Sequence, residues 1–374
     1  GLGGCYFRGR VESIGSSGSG KASPSRVVIR TGSDATETVV TADNIVLAVG
    51  NDDPMYPEWT QDLLSSSEEE SRGGHENHPR ISHLLQLSDG IDGASSASNS
   101  SNNNNNDETV EEQQHQQVVA IIGGGISAVH KALQLTSADS NKKVHIISRH
   151  EVREQQFDTH QDWMMTKELA ARSTEKGGKG LNDRLKKFET IESVGERRKV
   201  ILRERIPGTI PTYMTRARGG LEDAIREGKI RWHVADVATA EEHNDNDSND
   251  NGNDPVKNGF RLELTSGDSI SVDRIVLATG LGKRPPGHAI IHPLAEEAGL
   301  PLSPCGYPIV DESLLWRQKA SDGNNDPSAS SSSSSSNIFV SGGLAELELG
   351  PSARNIAGAR MAAERIAAAA SELR

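Results

Sequence analysis

The chain has 374 residues, a net charge of −13 and 34% hydrophobic residues. Its length suggests two domains rather than one. The acidic charge lies mainly in residues 62–117, 241–256 and 320–336, which carry −17 between them and leave +4 for the rest of the chain. A mildly basic folded part suits a phosphate-bearing ligand. No stripe of Lys and Arg interleaves with aromatic residues, so nucleic-acid binding is not indicated.

Cysteine use and hydropathy exclude further classes of protein. Cys5 and Cys305 lie far apart in the sequence, which argues against a disulfide framework, a cysteine-based zinc site and a CxxC redox pair. No apolar run approaches the roughly 18 residues of a membrane span. The chain starts at Gly1 without a methionine, so we expect a fragment or a processed start. With such a start, the absence of a signal peptide carries no information about localisation. The cytoplasm is the favoured compartment, and the sequence gives no oligomeric state.

The first predicted elements are β-strands. Tyr6–Ile14 alternates apolar and polar residues, as half-buried antiparallel strands do. Residues 26–42 predict a hairpin with a Gly/Asp turn, and Ile45–Gly50 predicts a continuous apolar strand that ends in Ala-Val-Gly. A strand that is apolar throughout is covered on both faces, as in a parallel sheet.

Residues 62–117 have the composition of a disordered linker, with runs of Ser, Glu, Asn and Gln. The histidines in this segment, His75, His78 and His83, are not expected to bind a metal, because no rigid scaffold would hold them. The two other acidic stretches have a similar composition and predict surface-loop inserts.

The strongest motif begins at residue 118. Val118–Ile122 predicts a buried strand, Gly123–Ala128 predicts a turn of the form GxGxxA, and a helix leads to the next strand at Lys143–Ser148. The predicted buried face of that helix consists of the apolar residues Ile126, Val129, Ala132 and Leu133. Strand, glycine turn, helix and strand in this order form the dinucleotide-binding βαβ unit.

The small residues of this turn have predicted roles in cofactor binding. Gly123 allows the tight turn, Gly125 lets the backbone approach a pyrophosphate, and Ala128 keeps the helix close to the strand. The start of the helix, which includes Ser127, offers free N–H groups and the positive end of the helix dipole. The alternative is a glycine-rich turn between strand and helix that binds nothing.

The residues after the second strand bear on the choice of cofactor. A site selective for NAD places Asp or Glu here, on the ribose 2′-hydroxyl. This chain has Ser148, Arg149 and His150 instead, and the planar guanidinium of Arg149 suits a 2′-phosphate. We therefore expect NADPH rather than NADH, with a solvated loop arginine as the alternative.

An internal repeat follows the βαβ unit. Residues 259–280 repeat the hairpin and apolar strand of residues 26–50, and Ile230–Val237 matches the alternating strand that precedes the first copy. The repeat places Gly50 and Gly280 at equivalent positions, each at the end of an apolar strand. No βαβ unit precedes the first copy, so we expect the chain to begin within its first domain.

The last predicted elements are a strand at Ile338–Gly342 and a helix that opens near Gly350. Pro351 suits a first helical turn, and the glycine before it permits close backbone approach. Gly350, Ser352 and Asn355 are therefore candidate cofactor contacts. The alternative is a C-terminal helix that serves packing alone.

No catalytic side chain is identified. Cys305 has no adjacent histidine that would activate it as a nucleophile. Asp158, His160 and Trp163 follow the second strand of the βαβ unit, and they are expected at the surface.

At these residues the chain resembles flavoproteins with two dinucleotide-binding domains: flavin-containing and N-hydroxylating monooxygenases, and glutathione-reductase-like oxidoreductases. Gly123–Ala128 matches their NADPH fingerprint, and Ile45–Gly50 and Ile275–Gly280 match their paired Ala-Thr-Gly strands. Residues 50–59 are similar to the proline-rich exit from the flavin domain. Residues 342–360 are similar to a group of FAD/NAD(P)-binding proteins near the ornithine and lysine N-monooxygenases.

The resemblance implies an α/β fold with two Rossmann-like domains of three layers (ββα), the first of them incomplete. Residues 1–61 and 285–374 would belong to the FAD-binding domain, 118–284 to the NAD(P)H-binding domain, and 62–117 to the linker. The implied cofactors are FAD and NADPH, with hydride passing from nicotinamide to flavin before oxygen is activated. The implied substrate is a small molecule, for which an amine is one candidate.

Two departures from the family concern the flavin. The N-terminal FAD fingerprint is absent, and the Gly-Asp that closes the flavin site is Gly342-Gly343 here, with Glu346 as the nearest acid. A second hypothesis is therefore a non-catalytic NADP(H)-binding or regulatory module. A dehydrogenase without flavin is disfavoured, because it would not need two copies of the repeat. The absence of CxxC argues against a disulfide reductase.

Overall fold

The computed structural model describes residues 9–16, 25–31, 36–50, 53–65, 80–86, 116–137, 141–164, 183–244, 258–317 and 337–373. The chain divides into two compact units, each assembled from separate segments. Unit 1 consists of Gly1–Asp53, Thr159–Ile206 and Lys283–Arg374, and unit 2 consists of Pro54–Asp158 and Pro207–Gly282.

The described strands are numbered in chain order. They are β1 (Arg10–Ser16), β2 (Ser25–Thr31), β3 (Thr36–Ala42), β4 (Asn44–Leu47), β5 (Ile81–His83), β6 (Gln117–Ile122), β7 (Lys142–Ser148), β8 (Arg153–Glu154), β9 (Thr209–Ile210), β10 (Ile230–Val234), β11 (Val237–Asn244), β12 (Asn258–Leu264), β13 (Ser269–Val272), β14 (Arg274–Leu277), β15 (Leu315–Trp316) and β16 (Asn337–Val340). The described α-helices are α1 (Thr60–Ser65), α2 (Ile126–Leu135), α3 (Asp183–Glu189), α4 (Val194–Glu204), α5 (Thr212–Thr215), α6 (Leu221–Arg226), α7 (His288–Ala298), α8 (Glu346–Leu349) and α9 (Ile356–Glu372). Short 3₁₀ helices lie at Leu84–Gln86, Gln161–Met164, Gly342–Ala345 and Gly350–Arg354. Within this described part, no helix is both long and apolar enough to cross a membrane.

Unit 1 contains two three-stranded sheets. In the first, β1, β2 and β3 pair antiparallel in sequence order, which includes the hairpin expected within residues 26–42. In the second, β16 lies between β15 and β4 and pairs parallel with β4. The largest buried side chains of this unit are aromatic: Trp163, Phe188, Tyr307, Trp316 and Phe339.

Unit 2 is built on a five-stranded sheet in the order β10-β7-β6-β14-β5, in which every neighbouring pair is parallel. The apolar run of β6 is explained by its central place. Val119 and Ile121 pack in the cluster that contains α2, whereas Ala120 and Ile122 pack in the cluster that contains β12. Both faces of the strand are covered, as a parallel sheet requires. The prediction of an α/β chain with a parallel sheet is confirmed.

The second copy of the repeat differs from the prediction at its first strand. Ile230–Val237 does not form one antiparallel strand. Ile230–Val234 is β10, which pairs parallel with β7, and the next strand, β11, pairs antiparallel with β12. The counterpart of β1 is therefore β11. Buried Ile230 and His233 lie among more exposed residues in β10, which is an edge strand, and such mixed polarity is also typical of a hairpin strand.

Residues 62–117 contain elements that composition did not predict. Helix α1 extends into the segment, and β5 pairs with β14 at the edge of the sheet. Ile81 and His83 are both buried. A three-residue edge strand gives almost no periodic signal in a polar stretch, which is why the linker prediction was wrong here. Residues 66–79 and 87–115, like residues 245–257 and 318–336, lie outside the described residues.

The segment Thr159–Ile206 belongs to unit 1, whereas the sequence interpretation assigned it to the nucleotide-binding domain. Trp163 was expected at the surface but is 2% exposed. Its ring packs edge-on against Phe188 with a centroid separation of 5.6 Å, and its indole N–H donates to Glu204 at 3.2 Å. Burial of a large aromatic ring with a satisfied N–H stabilises the fold. His160, by contrast, is exposed as expected.

Candidate functional site

The glycine turn of unit 2 lies at the carboxyl edge of the parallel sheet, between β6 and α2. Gly123 has φ of +134°, and a β-carbon there would collide with the carbonyl oxygen of Ala278, just after β14. The N–H of Gly123 donates to the carbonyl of Ile147 at 2.9 Å. Only glycine fits this position, so the geometry agrees with the tight turn that the motif predicts.

Two further glycines shape this region, Gly124 within the turn and Gly208 packed against it, and the sequence pattern gave neither of them a role. A β-carbon on Gly124 would collide with the hydroxyl of Ser148, at the end of β7. Gly208 has φ of +74°, and its Cα would lie 3.5 Å from a β-carbon on Gly125. There is therefore close packing between the turn, the end of β7 and the backbone of Gly208. The Pro-Gly dipeptide at residues 207–208 was the available signal.

Helix α2 begins directly after the turn. Gly125 is its N-cap in an extended conformation, and no side chain caps the helix. The N–H groups of the first turn are therefore open to a ligand. Ser127 is exposed on this first turn, and Ala128 is fully buried against the sheet.

The buried face of α2 differs from the predicted one. It consists of Ala128, Val129, Lys131, Ala132 and Leu135. The prediction was wrong for Ile126, whose side chain is 45% exposed, and Leu133 is only half-buried. Contacts with β6 and β7 fix the rotation of the helix about its axis, which apolar spacing alone leaves open.

A cavity of about 460 Å³ lies beside the outer face of α2. It is lined by Ile126, Ser127, His130, Leu133, Tyr213, Met214, Ala217, Arg218, Gly219 and Gly220. Apolar side chains dominate the wall, Arg218 and His130 add polar groups of basic type, and no carboxylate is among the described residues that line it. Such a cavity suits an apolar body with a negative charge.

Arg149 follows β7 directly, and its side chain is exposed. Among the residues that the structure describes, no carboxylate forms an ion pair with its guanidinium. The guanidinium is therefore available to an anion at the carboxyl edge of the sheet.

The end of β14 reaches the same edge of unit 2. Gly280 has φ of +82° and is exposed, and a β-carbon there would meet no atom within 4 Å. Its carbonyl accepts the N–H of Met55 at 3.1 Å. On the neighbouring strand, His83 is 1% exposed. Burial lowers the pKa of this histidine, against a smaller opposing effect of the Gly280 carbonyl.

In unit 1 two glycines follow adjacent parallel strands. Gly50 lies three residues after β4, and Gly342 lies two residues after β16. A β-carbon on either would meet no atom of the described residues within 4 Å. The carboxyl ends of neighbouring parallel strands are where α/β sheets bind ligands.

The segment Gly350–Arg354 is a 3₁₀ helix rather than the first turn of the final helix. Gly350 is buried, and a β-carbon there would lie 3.0 Å from the ring of Trp163. Ser352 is also fully buried. Asn355 is the N-cap of α9, and its side-chain oxygen accepts the N–H of Gly358 at 3.1 Å. Packing therefore accounts for the glycine and capping for the oxygen of the asparagine, whereas the buried hydroxyl of Ser352 has no hydrogen-bond partner among the described residues.

Glu346 was noted as the acid nearest to the expected flavin site. Its side chain is 1% exposed and lies between two guanidinium groups. Arg198 forms one ion pair with this carboxylate, and Arg354 forms the other at 2.8 Å. Arg354 also donates to the hydroxyl of Tyr307 at 2.7 Å. This carboxylate is engaged in holding the segment that ends at Asn355.

The predicted residues thus fall into two groups according to the unit to which each belongs. The group in unit 2 contains Gly123, Gly125, Ser127, Ala128, Arg149 and Gly280. The group in unit 1 contains Gly50, Gly350, Ser352 and Asn355.

Comparison with solved structures relates this arrangement to known enzymes. Ornithine hydroxylase from Pseudomonas aeruginosa matches with a TM-score of 0.61 and 16% identity, over 98% of this chain and 71% of that one. Ornithine N-hydroxylase from Kutzneria sp. 744 matches with 0.61 and 17%, over 97% and 71%. L-lysine 6-monooxygenase from Pseudomonas syringae matches with 0.55 and 19%, over 98% and 71%. The chain has the fold of these enzymes.

The expected resemblance to the N-monooxygenase group is therefore confirmed for the fold. No protein-family model matches the chain, and no curated protein matches it. The likeness lies in the three-dimensional arrangement at low sequence identity.

Proposed function

We propose that the chain is part of an FAD- and NADPH-dependent oxidoreductase, a flavin monooxygenase that acts on a small molecule. Unit 2 would be the Rossmann-like NADPH-binding domain, and unit 1 would belong to a second Rossmann-like domain that binds FAD. The observation that carries the proposal is the glycine turn: a strand, a turn in which Gly123 cannot be replaced without collision, and an uncapped helix start.

The residues of unit 2 fit NADPH. The turn leaves no side chain between the backbone and a pyrophosphate, and the first N–H groups of α2 would donate to its oxygens. Ser127 is exposed beside these groups. The guanidinium of Arg149 would bind the 2′-phosphate in a bidentate manner. Gly280, exposed and free of steric neighbours, leaves room at the same edge.

The residues of unit 1 fit part of an FAD site. Gly50 and Gly342 leave open space at the ends of adjacent parallel strands. The side-chain amide of Asn355 uses its oxygen for the helix cap, and its two N–H donors would be available to the cofactor. Gly350 and the buried Ser352 would act by shaping the segment rather than by direct contact. When bound, FAD would accept the hydride of NADPH and supply the oxygen chemistry. The protein would orient the cofactors and exclude water.

An amine is the proposed substrate class. The solved structures with this fold include two ornithine hydroxylases and a lysine monooxygenase, each named for an amino acid with a side-chain amine. The apolar, carboxylate-free cavity beside α2 is lined by groups suited to an acid, so it is not the site we assign to the amine.

An absorption spectrum tests the proposal. The purified protein, supplied with FAD, is expected to show flavin bands near 370 and 450 nm that bleach when NADPH is added without oxygen. Oxygen uptake that rises with ornithine or lysine would support the monooxygenase. NADPH binding in calorimetry without flavin bands would favour the non-catalytic module. Absence of both binding and bands would refute the proposal.

A further inference from the structure

We propose that His150 is a phosphate-binding residue of the dinucleotide site and that its protonation tightens cofactor binding. The proposal rests on the proposed function, because the anion it assigns is a phosphate of NADPH. It adds a residue to the site that neither the GxGxxA motif nor the comparisons single out.

The ring of His150 lies against the glycine turn. A β-carbon on Gly124 would be 3.1 Å from Cε1 of this ring, and a β-carbon on Gly208 would be 2.7 Å from Nε2. Both glycines therefore provide the space that the imidazole occupies. A side chain in this position reaches the loop whose backbone N–H groups would bind phosphate.

The two ring nitrogens have different surroundings. Nδ1 lies 2.8 Å from the carbonyl oxygen of Glu151, and a carbonyl only accepts, so we assign the proton of the neutral ring to Nδ1. Nε2 has no hydrogen-bond partner within the described part of the chain. In the neutral ring Nε2 is an acceptor, and in the protonated ring it becomes a charged donor.

The backbone of His150 is held at three points. The hydroxyl of Ser148 donates to its carbonyl at 2.9 Å and accepts its N–H at 3.3 Å, and the indole N–H of Trp232 donates to the same carbonyl at 3.3 Å. The ring is thus positioned before a ligand arrives, which reduces the entropy that binding would cost.

The charges around this ring favour an anion. The glycine turn and residues 207–208 carry no titratable side chain. Arg149 and Glu151, the chain neighbours, are exposed, and neither pairs with the ring among the described residues. Arg153 donates to the carbonyl of Pro207 at 3.4 Å, which brings a second guanidinium to this loop. On β10, Trp232 contributes no charge, and on α2 the first titratable residue is His130, which is exposed.

The direction of the pH effect follows from these charges. A protonated imidazole donates a charge-assisted bond to a phosphate oxygen, whereas the neutral ring presents a lone pair to it. Binding is therefore expected to be tighter while the ring carries its second proton and weaker once the ring is neutral. Loss of one such bond corresponds to about tenfold in affinity.

Calorimetric titration of the intact chain with NADPH and with NADH between pH 5.5 and 8 tests this proposal. We expect wild-type affinity for NADH to fall about tenfold over this range and His150→Gln to flatten the profile. His292→Gln, on α7 of unit 1, is the matched control and should keep the wild-type slope. The 2′-phosphate itself gains charge over this range, so NADPH is assessed by the difference between wild type and variant.

The same titrations distinguish contact with the pyrophosphate from contact with the 2′-phosphate. They also distinguish failure of the His150 proposal from failure of the proposed function. If His150→Gln weakens the binding of both cofactors equally, the contact is with the pyrophosphate. If the variant weakens only NADPH binding, and wild-type affinity for NADH does not change with pH, the contact is with the 2′-phosphate. If wild type binds both cofactors and the variant leaves affinity and slope unchanged, the role of His150 is refuted while the proposed function stands. If wild type binds neither cofactor, both proposals fail. If the variant does not fold, the wild-type protein still tests the role. The role is refuted if wild-type affinity for NADH does not change with pH and if the imidazole ¹⁵N chemical shift of His150 does not change when NADPH is added.

Discussion

Gly123 and Ala278 approach so closely that a β-carbon on the glycine would overlap the carbonyl oxygen of the alanine. The contact joins the end of β6 to the end of β14, so the shape of the carboxyl edge of the sheet depends on it. Gly123→Ala is expected to lower stability by about 2–4 kcal/mol, since it adds this collision to a φ of +134°.

Gly125→Ala is the matched control for this prediction. At Gly125 the backbone is extended, and an added β-carbon would have an ordinary contact of 3.5 Å with Gly208. We expect this variant to melt within a few degrees of wild type yet to bind NADPH more weakly, because a methyl group would intrude on the pyrophosphate. Calorimetry and thermal melts of both variants check this, and equal melting temperatures would contradict the steric argument.

Arg149→Ala is expected to weaken NADPH binding by about tenfold or more and NADH binding far less. The guanidinium has no carboxylate partner among the described residues, so its removal leaves the fold intact and takes away a bidentate phosphate ligand. Lys229→Ala is a suitable control, because Lys229 precedes β10 at the amino edge of the sheet and pairs with Glu227. An equal loss for both cofactors would refute the 2′-phosphate role.

The glycine turn between β6 and α2 was predictable because its constraints are local. The strand Val118–Ile122, the turn and the helix start are contiguous, and each has a residue pattern with a direct physical cause. Gly208 was not predictable from that pattern, since it reaches the turn only through the tertiary fold. The three-residue strand at His83 was missed for the same reason: its pairing with β14 is long-range.

In the C-terminal segment, the sequence pattern did not predict the environment of the selected residues. Gly350 and Ser352 were predicted to contact a cofactor, and the structure shows that both residues are buried. Gly350 lies against Trp163, which belongs to a segment almost two hundred residues earlier. A sequence pattern cannot distinguish a glycine required by an aromatic ring of its own chain from one required by a ligand.

Ser352→Ala is expected to leave the stability of the protein unchanged or raise it by about 1 kcal/mol. The hydroxyl is fully buried and has no hydrogen-bond partner among the described residues, and a buried polar atom without a partner is destabilising. FAD affinity should not change, because the hydroxyl is not exposed to a ligand. Urea unfolding and FAD titration check both points. Weaker FAD binding by the variant would show that the hydroxyl of Ser352 contacts the cofactor directly.

Glu346→Gln is expected to destabilise the protein by about 3 kcal/mol. The substitution removes the charge that Arg198 and Arg354 share, and leaves two partly buried guanidinium groups without their anion. Glu364→Gln is the matched control, since Glu364 pairs with Arg360 on the exposed face of α9 and should cost less than about 0.5 kcal/mol. A comparable loss in both variants would contradict the network.

A pair of buried histidines predicts acid sensitivity in unit 2. His145 on β7 and His233 on β10 stack with ring centroids 5.1 Å apart, and Nδ1 of the first lies 2.9 Å from Nε2 of the second. Burial lowers the pKa of His145 to about 4, and the positive charges of His233, Lys143 and Arg231 act in the same direction. The pKa of His233 is also lowered, mainly by burial.

The unfolded chain therefore binds protons at a higher pH than the folded chain. The stability that the neutral pair contributes is fully present above about pH 6.5, where these histidines are neutral in both the folded and the unfolded chain. It is lost as the pH falls toward 4. Each histidine contributes a slope of at most about 1.4 kcal/mol per pH unit within this window. Urea unfolding at several values between pH 4.5 and 7.5 should show the loss in wild type and a shallower slope in His145→Gln. His292→Gln, which removes an exposed histidine paired with Glu296, should retain the wild-type slope, and identical slopes in all three proteins would show that the buried pair does not set the acid limit.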